Sequence, residues 1–123
     1  LWIASSAPNT DFTGKLVDVA PDGFAMNLTD GIQRVSHREG DADPRPLPPG
    51  TPAEVEVDLW NTSHLFKRGH RIRVEVSSSN FPRYSRNLNT AAQPEAGDSV
   101  AIARQTVFHD ARRPSRLVLP VLP

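Results

Sequence analysis

Cysteine is absent from this sequence. A disulfide framework, a thiolate nucleophile and cysteine-held zinc are therefore excluded, although the absence does not place the protein inside or outside a cell. A surplus of either charge is also missing: 14 basic residues meet 14 acidic ones, for a formal net charge of zero. Nonspecific binding to nucleic acid or to an anionic membrane surface needs a basic surplus, so neither is expected as a partner. No apolar run approaches the roughly 20 residues of a membrane span. No stretch repeats apolar residues at i, i+3, i+4 and i+7 over three turns, so little helix is expected. There is no dinucleotide fingerprint and no glycine-rich phosphate cradle, and no cofactor is expected.

What the chain does have is a β pattern. At 123 residues and 37% hydrophobic content it is long enough for one domain with a real core. Residues 54–59 alternate polar and apolar, with Val55, Val57 and Leu59 on the inward face. Residues 71–76 do the same with Ile72, Val74 and Val76. Further strands are predicted at 1–4, 12–19, 24–28, 32–36, 99–108 and 117–121. Pro21-Asp22-Gly23 and Asp30-Gly31 read as hairpin turns, with Pro48-Pro49-Gly50 and Arg68-Gly69 as later punctuation. The charged, proline-rich stretch 39–52 reads as a surface connection. Many short strands in a chain of this length predict an all-β sandwich, jelly roll or immunoglobulin-like.

No catalytic set emerges. A serine nucleophile elbow needs glycine on both sides of the serine, and Gly97-Asp98-Ser99-Val100-Ala101 has only the first. His37, His64, His70 and His109 show no metal-ligand spacing, and His109-Asp110 reads as a strand end and a turn. The aspartates are scattered among turns and strand faces, so no metal site is expected. Asn27-Leu28-Thr29 and Asn61-Thr62-Ser63 match the weak glycosylation pattern. The remaining candidates are binding groups. The long polar stretch 77–90 holds Asn80, Phe81, Arg83, Tyr84, Arg86, Asn87 and Asn89, and Trp60 lies apart from it. Aromatic and arginine side chains are favoured at interfaces; the plainer reading makes Trp60 and Phe81 caps on the core.

Several ordered motifs resemble one family. They include Ala4-Ser5-Ser6-Ala7-Pro8-Asn9-Thr10-Asp11-Phe12, Lys15-Leu16-Val17-Asp18-Val19-Ala20-Pro21-Asp22-Gly23, Asn27-Leu28-Thr29-Asp30-Gly31 and Val57-Asp58-Leu59-Trp60-Asn61-Thr62-Ser63. The most specific are Lys67-Arg68-Gly69-His70-Arg71-Ile72-Arg73, Ser77-Ser78-Ser79-Asn80-Phe81-Pro82-Arg83 and Arg86-Asn87-Leu88-Asn89-Thr90, followed by Pro114-Ser115-Arg116-Leu117-Val118-Leu119-Pro120. Across essentially its whole length the chain resembles the C-terminal non-catalytic domain of the X-Pro dipeptidyl-peptidase and cocaine esterase group of serine hydrolases.

That resemblance implies a jelly-roll β-sandwich, similar to galactose-binding modules, with long irregular loops. It implies a single domain over 1–123, belonging to a larger enzyme whose α/β-hydrolase domain, with Ser, Asp and His, lies upstream. The domain would pack on that catalytic partner and help wall the active-site cleft, with 77–90 facing it. The apolar start at Leu1-Trp2-Ile3-Ala4 and the apolar end, residues 116–123, read the same way. A homodimer through an unpaired sheet edge is a further expectation. The alternatives are a carbohydrate-binding module of the same fold and a pure oligomerisation domain. The compartment stays open, with the cytoplasm favoured over secretion.

Overall fold

The computed structural model describes residues 1–91 and 97–122; Pro123, the last residue of the apolar end, lies outside them. Among the described residues eight strands follow one another: β1 (Trp2–Ser5), β2 (Asp11–Val19), β3 (Ala25–Arg34), β4 (Ala53–Glu54), β5 (Arg71–Ser77), β6 (Gln105–Val107), β7 (His109–Asp110) and β8 (Arg113–Pro114). A short 3-10 turn, Val35–His37, is the helical element among the described residues. The strands form an antiparallel sheet in the order β4-β1-β6, a second in the order β3-β2-β5, and a β7-β8 ribbon. The fold is all-β, as the alternation predicts.

The core lies between the two larger sheets. Ile3 of β1 and Phe12 of β2 meet there with Val35, Leu47 and Val55, and Leu1, Ala53 and Val107 pack against them. Full burial of each such side chain contributes about 2–3 kcal/mol. The β2–β3 hairpin turns at the predicted Pro21-Asp22-Gly23. Gly23 supplies a φ of 92°, the Ala20 N–H donates to Phe24 O at 2.8 Å, and the Asp22 carboxylate accepts the Phe24 N–H at 2.9 Å. Gly50 and Gly69 likewise take positive φ at the other predicted turns.

Several local expectations need correction. Asp30-Gly31 is not a turn: both residues lie within β3, paired with Lys15 and Gly14. The predicted strands at 24–28 and 32–36 are therefore one strand, with a bulge at Leu28 opposite the Leu16–Val17 step, ending in the 3-10 turn. Tertiary pairing along β2 overrides the local turn signal. Of 54–59 only Glu54 is in a strand; of 99–108 only 105–107; and 117–121 forms none. The apolar row of β5 is not inward either. Ile72, Val74 and Val76 are 53%, 42% and 38% exposed on β5, an edge strand of its sheet.

Gly14 and Gly31 are direct partners across β2 and β3. The segment 55–59 crosses the sheet over this pair. A Cβ on Gly31 would stand 1.8 Å from Asp58 O, and one on Gly14 would meet the Leu59 side chain at 3.2 Å. Glycine is needed here for close approach rather than for an unusual φ. The Gly31→Ala substitution should therefore destabilise the protein by about 3 kcal/mol in urea unfolding. An unchanged midpoint would mean that 55–59 does not lie on the sheet.

Candidate functional site

The structure draws the predicted loop residues together through carboxylates of the β2–β3 hairpin. Asp30 is buried on β3, and a buried carboxyl group needs hydrogen-bond partners. It receives them from 77–90: Arg83 Nε at 2.7 Å, Asn80 Nδ2 at 3.2 Å and Tyr84 Oη at 3.2 Å. The hydrogen bond that Arg83 donates to Asp30 raises the Arg83 pKa above its already high value, with the Tyr84 contact adding to it. The Arg83 guanidinium also sits 5.5 Å from the Tyr84 ring centroid, within cation–π range.

Asp11, at the start of β2, anchors the second half of the same loop. Its carboxylate accepts Asn87 Nδ2 at 2.7 Å and a two-pronged contact from Arg34 at 3.0 and 3.3 Å. Asn87 Oδ1 in turn accepts the Asn89 N–H at 2.8 Å, and Asn89 Nδ2 donates to Ala101 O at 2.9 Å. Asn89 has a φ of 60°, which asparagine tolerates better than most residues. Arg86 is exposed and joins neither anchor.

The two aromatics left over are held outward. Trp60 is 73% and Phe81 71% exposed, so neither caps the core. Trp60 takes a φ of 61°, a conformation costing about 1–3 kcal/mol in a bulky residue. The Asp58 carboxylate stabilises it by accepting the Trp60 N–H at 2.7 Å, and the hydroxyl of Thr29 donates to the Leu59 carbonyl just before it. Trp60 and Arg83 border an open depression of about 400 Å³ floored by Asn27, Leu28, Thr29 and Asp30 of β3.

A third carboxylate, Asp18 of β2, ties down the chain after Trp60. Its oxygens meet His64 Nε2 and His70 Nδ1, each at 2.8 Å. An ionised carboxylate only accepts, so both ring nitrogens carry the proton. Burial disfavours the Asp18 anion, but the hydrogen bonds from His64 and His70 outweigh it and lower its pKa from the ordinary 3.8. These anchors are not legible in the sequence, where Asp11, Asp18 and Asp30 read as acids scattered among turns and strand faces.

No catalytic arrangement appears among the described residues. Ser99 is exposed. His109 and Asp110 open the β7–β8 ribbon, where Asp110 binds Arg113 Nε at 2.9 Å. No group of three or more His, Asp or Glu among the described residues is arranged to hold a metal.

Two outcomes follow from the anchors. Removing the carboxylate with Asp30→Ala should free the loop and speed tryptic cleavage after Arg83; an unchanged rate would mean that other contacts hold it. The Asp18 pKa is lowered in the folded state, so its contribution is complete above its ordinary value and disappears as pH falls through the lower one. Below about pH 4, stability of the unmodified protein should therefore fall more steeply than that of Asp18→Asn, read by thermal unfolding across the acid range. Parallel curves would show that Asp18 is not coupled to folding.

Three likenesses to known proteins agree with this geometry. The family described as X-Pro dipeptidyl-peptidase C-terminal non-catalytic domain matches residues 1–118. The cocaine esterase of Rhodococcus sp. (strain MB1 Bresler) is 45% identical over 124 residues, which cover 99% of this chain and 22% of that protein. The crystal structure of an aminopeptidase from the marine sediment archaeon Thaumarchaeota archaeon matches with a TM-score of 0.84 at 35% identity, over 92% of this chain and 20% of that one. The chain thus spans about a fifth of the length of either relative. An all-β chain whose polar loop is pinned on buried carboxylates, with no catalytic set among its described residues, belongs to the X-Pro dipeptidyl-peptidase C-terminal non-catalytic domain family.

Proposed function

We propose that this chain is the jelly-roll, galactose-binding-like C-terminal domain of a larger serine hydrolase. It packs on the α/β-hydrolase domain of that enzyme and helps wall the active-site cleft. The parent would cleave esters or amides through an acyl-enzyme, or release X-Pro dipeptides, with Ser, Asp and His upstream. An ester substrate is favoured by the likeness to the cocaine esterase, and a peptide by the likeness to the aminopeptidase.

The observation that carries the reading is the presentation of Trp60 and Phe81. Both rings are more than two-thirds exposed, yet their backbones are fixed by Asp58 and by the Asp30 anchor. Rigid exposed aromatics suit docking, because little side-chain entropy is lost when they are covered. The exposed row Ile72, Val74 and Val76 adds apolar surface of the kind a neighbouring domain covers. The domain's contribution to catalysis is then positional: it excludes water at the cleft rim and fixes its shape, while the proton and acyl transfers belong to the partner domain.

In the full-length enzyme, Phe81→Ala should weaken docking by about 2 kcal/mol, lowering the thermal midpoint or shifting kcat/KM between substrates. Unchanged kinetics together with an unchanged midpoint would count against the reading. The 123-residue chain alone should show no turnover of an activated ester. Robust turnover that Ser99→Ala abolishes would place a nucleophile here instead.

The open depression beside Trp60 supports a second reading, a sugar ring stacked on the indole with Asp30 and Arg83 at its edge. Calorimetric titration with a glycan panel separates the two, since the docking reading expects no saturable heat.

A further inference from the structure

The depression beside Trp60 is built from both faces of one strand. Its floor, Asn27 to Asp30, belongs to β3, an edge strand of its sheet. Successive side chains on a strand point to opposite faces. Thr29 holds the Leu59 carbonyl on one face, and Asp30 holds Arg83 on the other. Trp60 and Arg83 are thereby set as two walls on either side of the strand edge. The space between them, about 400 Å³, has room for one small ring compound.

The walls carry unused chemistry. Arg83 hydrogen-bonds Asp30 through Nε alone, and neither of its terminal nitrogens donates to a described residue. Its side chain is 61% exposed, against 7% for Asp30. The Asp30 oxygens already accept from Arg83, Asn80 and Tyr84, so the floor is satisfied while the guanidinium presents a free fork. Such a fork matches a carboxylate or a phosphate with two parallel hydrogen bonds. Arg83 is the one cation among the lining residues, and Asp30 lies beside it. A phosphate with nearly two charges is poorly matched there, and a single carboxylate suits it better. Opposite stands the indole of Trp60, exposed but fixed through its backbone, with the half-buried Leu28 below. An indole face takes a flat ring.

We propose that this depression binds a flat ring compound carrying one carboxylate, with the ring on Trp60 and the carboxylate on the terminal nitrogens of Arg83. This rests on the reading above that the domain walls the cleft of a hydrolase. Hydrolysis of an ester or an amide leaves a carboxylic acid whatever the leaving group, and that acid is ionised at neutral pH. The ligand is thus the acid half of the parent's reaction, held at the cleft rim. A neutral sugar would leave the Arg83 fork unused.

The test uses the full-length enzyme and the probe naphthoate, with its neutral amide, naphthamide, and glucuronate as comparisons. Calorimetric titration should show naphthoate saturating a site that Trp60→Asn and Arg83→Lys each weaken by about tenfold or more. Asparagine tolerates the positive φ at position 60 and removes the ring; lysine keeps a charge beside Asp30 and removes the fork. Naphthamide should bind the unmodified enzyme about tenfold more weakly, or worse. Binding that neither variant changes, or an amide as tight as the acid, would overturn the proposal. So would saturation by glucuronate and not by naphthoate, which would give the site to an acidic sugar. Should either variant fail to fold, naphthoate soaked into crystals of the unmodified enzyme decides. Difference density between Trp60 and Arg83 is expected, and density only elsewhere would overturn the proposal. The two readings separate. Binding at Trp60 in a protein that hydrolyses neither esters nor amides keeps the site and sinks the proposed function. Hydrolysis with no binding in the depression does the reverse.

Discussion

The contact between the backbone of 55–59 and the paired glycines of β2 and β3 governs much of what this domain presents. Gly14 and Gly31 leave a bare strip on the sheet, and Asp58 O fills it to within a distance that no side chain would permit. Once that segment lies flat, the Thr29 hydroxyl and the Asp58 carboxylate can hold Leu59 and Trp60. The chain then leaves at a fixed angle and returns through His64 and His70 to Asp18. The outward indole of Trp60 is thus a consequence of two missing side chains on the sheet beneath it.

The second principle of construction is polar. The β2–β3 hairpin carries three buried carboxylates, Asp11, Asp18 and Asp30, and each receives donors from an irregular segment elsewhere in the sequence. A loop that contributes few apolar side chains to the core cannot be held by burial alone. Charge-assisted hydrogen bonds to buried acids supply directional restraint instead, and they leave the loop's own aromatics free to face outward.

Exposed apolar groups on β5 and in 117–122 belong to the same picture. An isolated domain gains nothing by exposing a row of β-branched residues on an edge strand. The apolar row of β5 is the largest such group on one strand among the described residues, in a chain that spans about a fifth of the length of its relatives.

The sequence by itself determined the strand-rich class, the Pro21-Asp22-Gly23 hairpin and the absence of a serine elbow, because these depend on residues close together in the chain. It also marked out 77–90, a long polar stretch in which nearly every side chain can hydrogen-bond. It could not show that Asp30-Gly31 lies inside a strand. A turn signal is local, and the nine-residue pairing of β2 with β3 that overrides it is not. Nor could it identify Asp11, Asp18 and Asp30 as anchors, because a carboxylate's role depends on donors that lie 23 to 76 residues away. The exposure of β5 was likewise decided in three dimensions. Alternation says that a strand has an apolar side, and only the neighbouring chain says whether that side is covered.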